Sequence, residues 1–178
     1  MVRARNLRRY PFVRMLDSWL VITKGTAMFE KLFPKGIDNS YRGSKVALWL
    51  FGLVVGMKIT QSLAVIFNGY YTAKGADGIP LDTFTPAAAQ TAVAIFAQAS
   101  LWRLTFCLMC MLALVRYRSA IPLLFVLFVL NYLTGELIFR FVPLVRTGTP
   151  PGPTVNLILF ALMVIGLALS LRSPSVRS

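Results

Sequence analysis

The sequence predicts an all-α fold: an integral membrane bundle of four transmembrane helices, preceded by an N-terminal interfacial amphipathic helix. Three observations predict it. The 178 residues are 57% apolar and only 14% charged, against about 45–50% and about 25% in a soluble domain. Four apolar stretches reach the length of about 20 residues that a helix needs to cross a hydrocarbon core of about 30 Å. The basic residues alternate along the connections between them. This composition excludes a soluble enzyme and intrinsic disorder. A single membrane domain behind a basic arm fits it.

The arm comes first. Residues 1–45 hold ten Lys/Arg against three acids, Asp17, Glu30 and Asp38. At 100° per residue, Phe12, Met15, Leu16, Trp19, Leu20 and Ile22 fall on one face of a helix over 12–24. Arg14, Asp17, Ser18 and Lys24 fall on the other, Val21 is the exception, and Gly25 ends the phase. A helix of this kind lies in the membrane interface, where each basic residue gains about 1 kcal/mol from anionic lipid. Docking on a partner protein is the competing reading. The high pI is explained by topology, so no nucleic-acid partner is expected.

The spans follow at about 46–67, 88–115, 120–145 and 154–171, leaving a short tail over 173–178. The loop Asn68–Pro86 is broken by Gly69, Gly75, Gly78 and Pro80. Arg116-Tyr117-Arg118-Ser119 is a tight turn, with Pro122 in the first turn of the third helix. Gly148, Pro150, Pro151, Gly152 and Pro153 separate the last two spans. Basic residues dominate the arm, the second connection (Arg116, Arg118) and the tail (Arg172, Arg177), while the first and third connections carry few. The alternation places both termini in the cytoplasm, as four crossings require. No cleavable signal is expected. The bacterial inner membrane is the expected location, with the mitochondrial inner membrane as the alternative for so arginine-rich an N-terminus.

Ionisable side chains inside a span cost about 2.5–3.5 kcal/mol each on insertion scales and are candidates for function. Lys58, Arg103, Glu136 and Arg140 are such residues, with Gln61, Gln98 and Asn131 as polar companions. By rise per residue, Lys58, Arg103, Asn131 and Glu136 lie at overlapping depths of about 16–24 Å from the cytoplasmic ends. If these helices face one another, Glu136 is the one acid available to three cations. Structural pairing between helices and a ligand, ion or proton role both remain open. Arg140 also has the options of snorkelling and an i,i+4 pair with Glu136. Gly52-x-x-x-Gly56 is a close-packing signature, serving internal packing or attachment to a neighbour.

The chain contains no histidine, which excludes His-based haem, zinc and triad chemistry. Cys107 and Cys110 are too few for a disulfide framework, and their apolar neighbours suit packing better than redox chemistry. No catalytic residue, metal or cofactor is expected. The leading function is an accessory or assembly subunit that packs against a larger membrane complex, or against its own copy. The alternative is a small transporter coupled to protons or anions through the polar cluster. A thiol or quinone oxidoreductase using the two cysteines is the third reading.

Two resemblances add to this. Asn131-Tyr132-Leu133-Thr134-Gly135-Glu136-Leu137-Ile138-Phe139 resembles a stretch of the proton-channel subunit a of ATP synthases. That family carries an essential arginine four residues before the asparagine. Leu127 stands there in this chain, so the proton-gating role does not carry over. Arg116–Pro122, then Gly148–Pro153 leading into Asn156-Leu157, resemble small bacterial four-helix inner-membrane proteins, some of them DoxX-like, over residues 46–172. This resemblance implies architecture and location but no reaction.

Overall fold

The computed structural model describes residues 38–41 and 43–172, with Leu32 and Gly36 before them. The amphipathic segment 12–24 and the tail 173–178 lie outside the described residues. From residue 45 to 172 the chain forms five α-helices and two 3₁₀ turns: α1 (Lys45–Phe67), α2 (Gly69–Gly75), α3 (Pro86–Arg116), α4 (Ile121–Phe141) and α5 (Pro151–Leu171). The turns are Leu81–Thr83 and Arg118–Ala120. Four helices are long and apolar enough to cross a membrane: α1, α3, α5, and α4 with the turn before it.

Each long helix starts where its sequence supplies a cap or a proline. The Ser44 hydroxyl accepts from the Val46 N–H at the start of α1, and the Thr85 hydroxyl accepts from Ala88 ahead of α3. Pro86, Pro122 and Pro151 occupy first-turn positions, where a missing N–H costs little. α5 therefore begins at Pro151, three residues before the apolar run, and Pro153 continues its first turn. α4 stops at Phe141, while the apolar sequence runs on to Val145. Pro143 explains the stop, because it disfavours helical backbone at Val142 and has no N–H of its own.

α1 is the central element and packs between α3 and α5, while α4 packs on α5. Its buried stripe, Ala47, Phe51, Val54, Val55, Lys58, Ser62 and Val65, repeats at three- and four-residue steps along one face. The core is joined by edge-on ring contacts: Phe51 to Phe125 at 5.1 Å, Phe51 to Phe128 at 6.2 Å, and Phe106 to Phe128 at 5.2 Å. Lipid is as apolar as these side chains, so close packing between helices replaces the hydrophobic effect here. Gly166 on α5 shows how close it is. A Cβ built there would lie 2.5 Å from the Phe125 ring. Gly52 likewise faces α3, its Cβ position 3.3 Å from Leu114, whereas Gly56 meets nothing within 4 Å. Of the small-residue pair, one member packs internally and the other looks outward.

The two ends of the bundle differ. At the arm end, Ser44 N–H donates to the Leu169 carbonyl, and Asp38 and Ser119 bond reciprocally through backbone and hydroxyl. The chain thus enters α1 beside the α3–α4 turn and the end of α5. At the opposite, loop end, residues 68–86 form an ordered cap. Thr72 bonds back to the Ala64 and Asn68 carbonyls, holding α2 across the end of α1. Tyr70 donates to Asp82 at 2.7 Å and Lys74 pairs with the same carboxylate, holding it below the usual carboxylate range with the lysine as the larger cause. The cap is latched to the last connection. Thr147 N–H donates to the Gly78 carbonyl and Gly152 N–H to the Ala76 carbonyl, both at 2.8 Å. Gly78 adopts φ +71°, and a Cβ there would strike Pro150 at 2.9 Å, so glycine is required on two counts.

Candidate functional site

A polar cluster interrupts the apolar stripe of α1. Lys58 sits where the period calls for an apolar residue and is only 9% exposed. Its ammonium donates to Asn156 Oδ1 on α5 at 2.7 Å. One turn on, the fully buried Ser62 hydroxyl donates to the Lys58 carbonyl at 2.9 Å, the back-bond a serine makes inside a helix. The same oxygen accepts from Arg103 Nε on α3 at 3.0 Å, and Arg103 Nη2 donates to the buried Ser100 hydroxyl at 2.8 Å. Three helices thus meet through an unbroken polar chain: Asn156, Lys58, Ser62, Arg103, Ser100.

Both cations are bonded to neutral oxygens. Among the described residues the ion pair is Lys74–Asp82, out on the cap, and neither Lys58 nor Arg103 has a carboxylate within salt-bridge distance. The acid that acts on both at longer range is Asp77, in the latch. Its Oδ1 lies 2.8 Å from the Cβ position of Gly152, against the first turn of α5, where a negative charge suits the helix dipole. Pro151 and Pro153 remove two of that turn's N–H groups, and Ala76 takes the one between them.

Burial raises the Asp77 pKa, opposed in part by Arg103, Arg146 and Lys58. The folded protein therefore holds this proton to higher pH than the unfolded chain does. The stability linked to it is complete below the ordinary carboxylate pKa and is lost as pH rises through the raised value. Unfolding temperatures of wild type and Asp77→Asn, compared from about pH 4 to pH 8, should diverge with rising pH in favour of the variant. Divergence in the opposite sense would mean that the three cations outweigh burial.

The sequence-derived candidates divide. Lys58 and Arg103 come together, and the half-buried Gln61 flanks them on α1. Gln98, Asn131, Glu136 and Arg140 are exposed. The reason lies in α4. Its buried residues are Ile121, Pro122, Phe125 and Phe128. Beyond Phe128 its ring contact to the bundle is the stack of Tyr132 on Phe160 of α5, 4.4 Å between centroids. Glu136 continues the face of Phe125, Phe128 and Tyr132, but no helix of the described chain closes over it. It forms a shallow concavity with Leu133, Leu137, Phe139 and Arg140.

Asn156, Ser62, Ser100 and Asp77 are the members that sequence reasoning missed. Serine and asparagine are common enough in helices to carry no signal alone. Cys107 and Cys110 are fully buried in the core among Phe51, Phe125 and Met163. Among the described residues no three His, Cys, Asp or Glu side chains converge as a metal site. Comparison with protein-family models, with curated proteins and with solved structures found no match.

Proposed function

We infer that this chain is an accessory or assembly subunit of a larger membrane protein complex, held in the bacterial inner membrane with both termini cytoplasmic. The observation that carries the reading is the uncovered face of α4. Its core stripe runs on through Tyr132 to Glu136, yet no described helix packs there. Glu136 stands about 7–8 Å inside the loop end of the helix; among the described residues no cation is paired to it, and its near partner is the Tyr132 hydroxyl one turn back on the same helix. At that depth, near the boundary between acyl chains and headgroups, a carboxylate turned to lipid is incompletely solvated. A transmembrane helix of another subunit, carrying a cation or a hydrogen-bond donor opposite Glu136, relieves that deficit and fills the concavity beside Leu133 and Leu137.

The location rests on charge. The arm end gathers Lys45, Arg116, Arg118 and Arg172, with the basic N-terminal segment leading into it, whereas the loop end mixes Lys74 and Arg146 with Asp77 and Asp82. The resemblance to small bacterial inner-membrane proteins points the same way.

The test is affinity purification of the tagged full-length protein from native membranes in mild detergent. The expected result is one larger complex at fixed stoichiometry, weakened about tenfold or more by Glu136→Ala, which deletes a buried charge-assisted contact. Gln98→Ala, on a different helix, leaves it unchanged. A monodisperse lone protein, with every membrane complex intact after its deletion, would overturn the reading.

A further inference from the structure

Among the described residues, two cations inside the bundle hydrogen-bond to neutral partners alone. An ammonium has three N–H donors and a guanidinium five. Lys58 directs one hydrogen bond to Asn156, and Arg103 directs one each to Ser62 and Ser100. Donors are left over on both, and the α1 residue that Arg103 bonds, Ser62, stands one turn from Lys58. Among the described residues the carboxylate acting on them at longer range, Asp77, brings at most one negative charge to two positive ones. Charges buried in a low-dielectric setting are stable only when matched by counter-charge and hydrogen bonds. A dead-end structural bridge would need a carboxylate here, and the three helices supply none.

The position of the cluster says what can reach it. Lys58 lies in the middle of α1, but its side chain is drawn to Asn156, about 7–8 Å from the loop end of α5. That is the depth at which lipid headgroups meet acyl chains. Outward of the Phe106–Phe128 contact, α4 buries no residue, so the second and third spans are not sealed together at that level. Arg103 is partly exposed on the same side of that contact.

We propose that Lys58 and Arg103, steadied by Asn156, Ser62 and Ser100, form a binding site for a phosphate-type oxyanion at the loop end of the bundle. The guanidinium fork takes two oxygens and the ammonium a third, the geometry in which charge-assisted hydrogen bonds to phosphate are strongest. The group is either the phosphate of an anionic lipid entering from the side or a free phosphate entering under the cap. The proposal does not rest on the subunit reading.

The test uses the full chain in nanodiscs. In phosphatidylcholine discs, thermal unfolding is followed while inorganic phosphate replaces chloride at constant ionic strength. In parallel, phosphatidylglycerol discs are compared with phosphatidylcholine discs, and native mass spectrometry counts the lipid that remains on the released protein. A saturable rise in unfolding temperature with phosphate identifies a soluble ligand. A rise confined to phosphatidylglycerol, with one such lipid retained, identifies a headgroup. Arg103→Gln and Lys58→Gln should each weaken the response about tenfold or more, and Lys74→Gln, the same charge change on the exposed cap, should leave it intact. If the two site variants do not fold, the wild-type titrations decide alone. No saturable response in either arm overturns the proposal, and so does equal weakening by Lys74→Gln.

Discussion

Phe125→Ala is expected to destabilise the bundle by about 3–5 kcal/mol, the range for an aromatic side chain removed from a packed core. Phe125 is fully buried and is the ring on which α1, α4 and α5 meet: Phe51 stands edge-on to it and Gly166 lies beneath it. In a bilayer the loss comes from vanished contacts rather than from exposure to water, since lipid solvates the separated helices as well. The converse change gives a sharper test. Gly166→Ala adds one carbon where the nearest ring atoms leave 2.5 and 2.6 Å. Rigid aromatic carbons cannot yield as the end of a flexible chain would, so the expected cost is about 1–3 kcal/mol. Phe125→Leu in the Gly166→Ala background should recover part of that cost. Unfolding titrations in mixed micelles on the four proteins close the cycle, and strictly additive effects would show that ring and glycine do not share this contact.

Asn156→Leu should be the most damaging polar change, at about 2–3 kcal/mol, because it leaves the Lys58 ammonium buried with its hydrogen bond gone. Lys58→Met should be near neutral or stabilising, since an apolar chain of similar length fills the same space without desolvating a charge. In the double variant the loss should largely disappear. Non-additivity of this sign is the mark of a charge that costs stability and is retained for another reason. A neutral Asn156→Leu would show that Lys58 finds other partners and would dissolve the cluster.

The spans were legible because hydropathy and punctuation agree. Pro86, Pro122, Pro151 and Ser44 stand where helices begin, and long apolar runs have no other use at this composition. The end of α4 was harder to read, since Phe141–Val145 is apolar whether helical or extended, and one proline at 143 settles the matter. The cap over residues 68–86 looked like a loop because its order comes from distant partners, Thr147 and Gly152, which no local pattern announces. Lys58 and Arg103 were visible as charges out of place. Their partners were not, because Ser62 and Ser100 are ordinary helix residues until a guanidinium is placed between them. Depth alone made Glu136 the acid available to the cations if the helices faced one another. Depth fixes height along a span but says nothing about which way a side chain faces, and Glu136 is exposed on α4. The acid that acts on both cations is Asp77, which sits outside every span.

The uneven seating of α4 has a mechanical meaning. Its lower half is clamped through Ile121, Phe125 and Phe128, with Gly166 pressed beneath the ring, while the ring stack of Tyr132 on Phe160 steadies its upper half. Such a stack is worth about 0.5–1.5 kcal/mol beyond its buried area, far less than the clamp. α4 is therefore seated much more firmly from Ile121 to Phe128 than beyond it. Its upper end runs through residues 142–146 into the latch at Thr147, so whatever engages that end bears on the cap while leaving the Phe51–Phe125 clamp in place.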